Sequence, residues 1–186
     1  MYGLVNQAIQ DLITENFGAD VFAKIKERAG VGISEFVAME SYDDAVTYDL
    51  VSAASDVLEK PMDQLLEIFG QYWTEFVAER GYGEFLALSG NNLEQFLMSL
   101  DDMHTRISLT FPELQPPSFS CERVDDQTLR LKYYSHREGL APMVVGLLKG
   151  MGSVFGQSLD IVHESRRDGD RPYDGFRVRV LQSEPA

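Results

Sequence analysis

Apolar residues recur at helical spacing through the first 111 positions of the chain and alternate at strand spacing after them. Leu4, Ala8, Ile9, Leu12 and Ile13 share one face of an amphipathic helix that stops near Gly18. Asp20 is placed to cap a second helix, with Phe22, Ile25 and Ala29 inward and Gly30 as its stop. A longer helical pattern covers Ser41 to Leu58. Pro61 opens the next helix, Met62 to about Glu79, before Gly81 and Gly83 break it. A short helix is expected over Glu84 to Leu88. Asn91 opens a helix that runs to Phe111, with Leu93, Phe96, Leu97, Leu100, Ile107 and Phe111 on its apolar stripe.

Pro112, Pro116 and Pro117 then forbid a helix and force an extended segment. Strands are predicted over Phe119 to Val124, Thr128 to Ser135, Leu159 to Ser165 and Phe176 to Leu181. Asp125-Asp126-Gln127 joins the first two as a hairpin, and a helix from Leu140 to Phe155 separates the second from the third. The fold class is α+β: a helical N-terminal subdomain, and a C-terminal subdomain with a four-stranded antiparallel sheet and packed helices. One domain over 1–182 divides at about residue 65, into 1–65 and 66–182. Residues 183–186 read as a frayed tail, and Arg167 to Pro172 as an exposed turn with solvated charges.

Two features carry chemistry. In the strand Leu129 to Arg137, alternation points Leu129, Leu131, Tyr133, Ser135 and Arg137 the same way. That face is a greasy wall ending in two hydroxyls and a guanidinium, which suits a large, flat or apolar ligand with carboxylates at one edge. Haem with its propionates fits, and so do many acylated or aromatic acids. The second feature is His104, which occupies the apolar stripe of the Asn91–Phe111 helix. It reads either as a core histidine bonded to a neighbour or as an axial haem ligand. A ligand held between His104 and the clamp would sit at the junction of the two parts. His136, on the opposite strand face, and His163, on a late strand, are expected to be exposed.

The spelling of both segments resembles the H-NOX family, the haem nitric oxide/oxygen-binding domains whose best-known member is the sensor domain of soluble guanylate cyclase. The likeness runs from Met1-Tyr2-Gly3 to near Val180. It includes the Tyr-x-Ser-x-Arg motif at Tyr133, Ser135 and Arg137 and the histidine helix around His104. Tyr42-Asp43-Asp44, Phe111-Pro112-Glu113-Leu114 and Pro116-Pro117-Ser118-Phe119 belong to it as well. The resemblance implies haem b, with His104 as the iron ligand and Tyr133, Ser135 and Arg137 on the propionates. It further implies that Leu4, Val5 and Ile9 pack on the haem, that Pro117 presses on the macrocycle, and that Asp44 pairs with Arg137. Trp73 and Met143 fall at pocket positions that carry polar groups in oxygen-binding members. On the residues alone, both read as ordinary core side chains.

The implied function is a non-enzymatic gas sensor for NO and CO. It would signal by Fe–His bond cleavage and a subdomain shift to a separate histidine kinase or cyclic-dinucleotide enzyme. Alternatives are an oxygen or redox sensor of the same fold, a haem peroxidase-type enzyme, and a haem-free acidic interaction module.

Composition narrows this further. The 186 residues carry a formal net charge of −14 with scattered Lys and Arg, which argues against nucleic acid and against an anionic membrane surface. The one cysteine, Cys121, excludes an internal disulfide and a Cys-rich zinc site. No apolar run approaches the roughly 20 residues of a bilayer span, and no signal peptide is visible, so a cytoplasmic location is expected.

Overall fold

The computed structural model describes residues 1–82, 90–111 and 113–181. The helix expected over Glu84 to Leu88, Gly83, Pro112 and the tail from Ser183 lie outside these residues. The helical half comprises α1 (Gly3–Phe17), α2 (Ala19–Arg28), α3 (Asp44–Leu58) and α4 (Met62–Val77), the last running into a π-helical turn at Ala78–Tyr82. After it come α5 (Leu93–Thr110), β1 (Ser118–Arg123), β2 (Thr128–Tyr134), α6 (Ala141–Val154), β3 (Leu159–Ser165) and β4 (Asp174–Val180). Among the described residues no helix is long and apolar enough to cross a membrane.

Local chemistry sets the boundaries. Gly18, at φ 93°, lets α1 turn directly into α2. The Asp43 carboxylate accepts from the Ala45 N–H at 2.9 Å, so α3 begins at Asp44 rather than Ser41. The Asn92 side chain accepts from the Gln95 N–H at 2.9 Å, while Gln95 Oε1 accepts from the Asn91 N–H at 3.0 Å. This reciprocal cap starts α5 at Leu93, two positions after Asn91.

The sheet has four antiparallel strands in the order β1-β2-β4-β3. Leu131 faces Phe176 and Leu129 faces Val178 across the β2–β4 pair. These residues bury one sheet face against Leu93, Phe96, Leu97 and Leu100 of α5 and Val144, Leu148 and Met151 of α6. Each buried side chain of this kind contributes about 1.5–3 kcal/mol. A second cluster joins Ala8, Ile9 and Ile13 of α1 to Phe22 and Ile25 of α2, Leu50, Ala53 and Ala54 of α3, and Phe69 and Phe76 of α4.

This second, helical cluster thus reaches past residue 65, along α4. On its other side α4 crosses α6 through glycines: a Cβ on Gly70 would overlap the Met143 carbonyl, and one on Gly146 the Glu67 carbonyl. At Gly150 a Cβ would stand 2.5 Å from Thr74 Oγ1. The two backbones therefore touch, with the Lys149–Glu67 ion pair at 2.5 Å beside the crossing.

Three expectations are corrected. The last strand starts at Asp174, two residues before Phe176, because Asp174 and Gly175 pair with Tyr133 and Lys132. β2 stops at Tyr134, one residue before Ser135. His163 is half-buried, its ring stacked on Phe176 at 4.8 Å and its Nε2 2.9 Å from Asp174 Oδ1. His136 is exposed, as expected.

Candidate functional site

A cavity of about 410 Å³ takes its walls from both clusters, within the range of small-molecule sites. Leu4, Val5 and Ile9 come from α1, Phe69 and Trp73 from α4, Leu97, Leu100 and His104 from α5, and Met143, Val144 and Leu148 from α6. Pro117 precedes β1, Tyr133 lies on β2, and Ser135 and Arg137 follow it. Of the residues singled out in the sequence, Leu4, Val5, Ile9, Trp73, His104, Pro117, Tyr133, Ser135, Arg137 and Met143 line this one space, while Asp44 stays outside the lining and holds Arg137.

His104 sits in the fourth turn of α5, and its Nδ1 lies 2.9 Å from the Leu100 carbonyl oxygen one turn back. A carbonyl only accepts, so Nδ1 carries the proton and Nε2 keeps its lone pair. Burial pushes the His104 pKa down, more strongly than the Leu100 and Asp101 contacts raise it, which favours the neutral ring. A neutral imidazole with its other nitrogen fixed by a backbone carbonyl is the form that ligates metals. Phe119 stacks on the ring at 5.4 Å, and Tyr133 in turn packs against Phe119 at 5.4 Å. Phe119 is set in place by Asp101 of α5, whose carboxylate accepts from the Phe119 N–H at 2.9 Å and the Ser118 hydroxyl at 2.6 Å.

The polar end is built differently from the pleat argument. Alternation accounts for Leu129, Leu131 and Tyr133, which are buried on β2. Ser135 and Arg137 lie beyond the strand end, in a bend where the Arg137 N–H donates to Ser135 Oγ at 3.0 Å. Burial raises the Tyr133 phenol and keeps it a neutral donor. The Arg137 guanidinium donates Nε to Asp44 Oδ2 at 2.7 Å, Nη2 to Asp44 Oδ1 at 3.2 Å and Nη1 to the Gln115 carbonyl at 2.8 Å. Five guanidinium N–H groups minus these three leave two for a ligand. Burial pushes the Asp44 carboxyl up, but its bonds to Arg137 and to the terminal amine outweigh that, and the net shift is downward.

Trp73 packs against Phe69 at 6.0 Å and Phe76 at 5.9 Å. Met143 offers no donor, and the nearby Thr74 hydroxyl donates to the Gln71 carbonyl at 2.8 Å. Sequence reading gave no role to Tyr48, which lines the cavity and donates to the Glu138 carbonyl at 2.9 Å, and took Arg167, which holds the Ser135 carbonyl at 2.6 Å, for a solvated charge. A tyrosine one turn after Asp44 is a signal for the first, whereas nothing local marks Arg167. Burial pushes the Cys121 thiol up to about 11, which suits a structural rather than a reactive thiol.

Residues 2–163 match the model of the Haem-NO-binding family. Soluble guanylate cyclase gcy-32 of Caenorhabditis elegans is 33% identical over 170 residues, covering 89% of this chain and 25% of the cyclase. Soluble guanylate cyclase gcy-31 of the same organism is 31% identical over 170 residues, covering 88% and 24%. The chain spans about a quarter of the length of these relatives. Among solved structures, an H-NOX protein from S. oneidensis in the Fe(II)NO ligation state superposes with a TM-score of 0.88 at 19% identity, covering 98% of this chain and 100% of that one. The Fe(II) unliganded H-NOX protein from K. algicida gives 0.85 at 19% identity, covering 98% of each.

Proposed function

The chain belongs to the Haem-NO-binding family, and from that premise we propose that it is a haem-based sensor of nitric oxide and carbon monoxide without catalytic activity of its own. The observation that carries the reading is one cavity with a free imidazole nitrogen, apolar walls and a carboxylate clamp. This donor set fits haem b: His104 Nε2 for the iron, and Tyr133, Ser135 and the two remaining Arg137 N–H groups for the propionates. Leu4, Val5, Pro117, Trp73 and Met143 supply its apolar surroundings. When bound, haem supplies a ferrous iron with an open position for a diatomic gas.

The residues govern what happens there. The Leu100 carbonyl orients His104 and fixes its tautomer. Trp73 and Met143 exclude water and set the polarity of the space. Bound oxygen needs a donor, and Met143 has none. The indole N–H of Trp73 is the feature that keeps oxygen sensing as the second reading. Release of His104 from its role on the iron is the event that α5 would carry into the fold, and a subdomain shift is its proposed output. A separate histidine kinase or cyclic-dinucleotide enzyme is the proposed receiver, in the cytoplasm, with no nucleic acid or membrane involved.

Absorption spectra of the reduced, haem-loaded protein test this reading. Additions of NO and of CO should each shift the Soret band, whereas air should give no lasting new complex. A long-lived oxygen spectrum favours the oxygen sensor, and a purified protein that takes up no haem ends both readings.

A further inference from the structure

Arg167 belongs to the segment after β3, in a run whose composition reads as solvated turn. Its side chain is only 23% exposed. The guanidinium donates Nη1 to the Ser135 carbonyl at 2.6 Å and Nη2 to the Arg137 carbonyl. Behind it lies Asp174, 7% exposed, which accepts from the Arg167 backbone N–H at 3.3 Å and sits 3.8 Å from Arg167 Nε. His163 holds the same carboxylate at 2.9 Å. Arg167 does not itself line the cavity.

The bend it grips needs such a hold. β2 ends at Tyr134, so Ser135 and Arg137 have no strand ladder to fix their backbone. Their side chains nevertheless point donors into the cavity, and a hydrogen bond weakens steeply when distance or angle drifts. One planar fork that holds two carbonyls two residues apart removes that freedom, which a flexible ammonium does not do. Tyr48 fixes the next carbonyl, that of Glu138, from α3.

We infer that Arg167 is a positioning residue for the carboxylate clamp: it fixes the 135–137 backbone and so sets where the Ser135 hydroxyl and the Arg137 guanidinium meet an anionic ligand. The inference rests on the clamp reading under the proposed function. Its signature is selective. A misplaced clamp weakens the grip on ionised carboxylates and leaves the apolar grip on the macrocycle unchanged.

The test compares haem with haem dimethyl ester, which has the same ring and no carboxylate. Each is loaded into the full-length protein and its loss to excess apomyoglobin is timed. The unaltered protein should lose the ester faster than haem. Arg167→Ala should lose haem roughly tenfold faster, as removal of a charge-assisted hydrogen bond does, with ester loss unchanged. Arg167→Lys keeps the charge but not the fork and should resemble Arg167→Ala. Arg166→Ala, at an exposed neighbour, should change neither rate. Equal acceleration of both ligands by Arg167→Ala, no acceleration of either, or full rescue by lysine overturns the positioning role while the clamp stands. If the unaltered protein does not distinguish haem from its ester, the clamp reading itself fails and the inference falls with it.

Discussion

His104 enters the cavity with one ring nitrogen already committed to Leu100, so only Nε2 is left to ligate. Replacing it with glycine would remove the proposed ligand and leave room for a small one. The His104→Gly protein, reduced and loaded with haem, should lose the unaltered Soret spectrum, and free imidazole should restore it; an unchanged spectrum would assign the iron to another residue. Asp101, one turn before His104, holds Phe119 against that ring. The hydrogen bonds from Ser118 and from the Phe119 N–H hold its carboxyl below the usual value of 3.8. A depressed carboxylate stabilises the fold above its unfolded pKa, and that contribution is lost as pH falls through the folded pKa. Asp101→Asn should therefore be less stable to urea than the unaltered protein at about pH 5, with the gap narrowing toward about pH 3. A gap that stays constant with pH would mean that the charge on Asp101 does not matter. The apolar stripe is a local pattern and leads to His104 on the cavity wall, but the partner of its ring is a backbone carbonyl, which no side-chain pattern encodes.

At the scale of elements, the α4–α6 crossing and the end of β2 matter most. Gly70 and Gly146 bring two backbones into contact, and the atoms a methyl group would strike are carbonyl oxygens that cannot swing aside. Gly146→Ala should cost about 1–3 kcal/mol or more in chemical denaturation. Gly169→Ala, where a Cβ meets nothing within 4 Å, should cost far less. Equal costs would show that the crossing can spread to accept a side chain. Neither glycine stood out in the sequence, because a glycine within a helical pattern reads only as a weak helix former. The end of β2 was hidden for a related reason. The alternation of residue types continues through Arg137, whereas the ladder needs a partner, and β4 supplies none beyond Asp174 opposite Tyr133. Strand length is decided by the neighbouring strand.

For the molecule as a whole, the Asp44–Arg137 pair joins residues 93 apart in sequence and ties the start of α3 to the bend behind β2. Arg137 is 15% and Asp44 32% exposed at the side chain, so solvent screens the pair only in part. A double-mutant cycle with Asp44→Asn and Arg137→Ala in urea denaturation should return a coupling of about 1 kcal/mol. Additive effects would mean that the bridge does not join the two parts energetically. The sequence located the cavity because its clues fell on elements from both halves, with His104 on a helix, Tyr133 on a strand, and Leu4 and Trp73 in the helical bundle. It could not supply Arg167, whose contacts form only once the sheet brings β3 and the bend together.

The glycine crossing has one more consequence. Gly70 lies three residues before Trp73 on α4, and Gly146 three residues after Met143 on α6. Along each helix, a position without a side chain fixes the spacing, and a neighbouring position with one lines the chamber. Frame and interior are thus specified by different residues of the same two helices. Exchanges at Trp73 and Met143 can change the size and polarity of the chamber while the distance between its walls is held by backbone contact. Such a chamber can be refitted for a different small guest without being rebuilt.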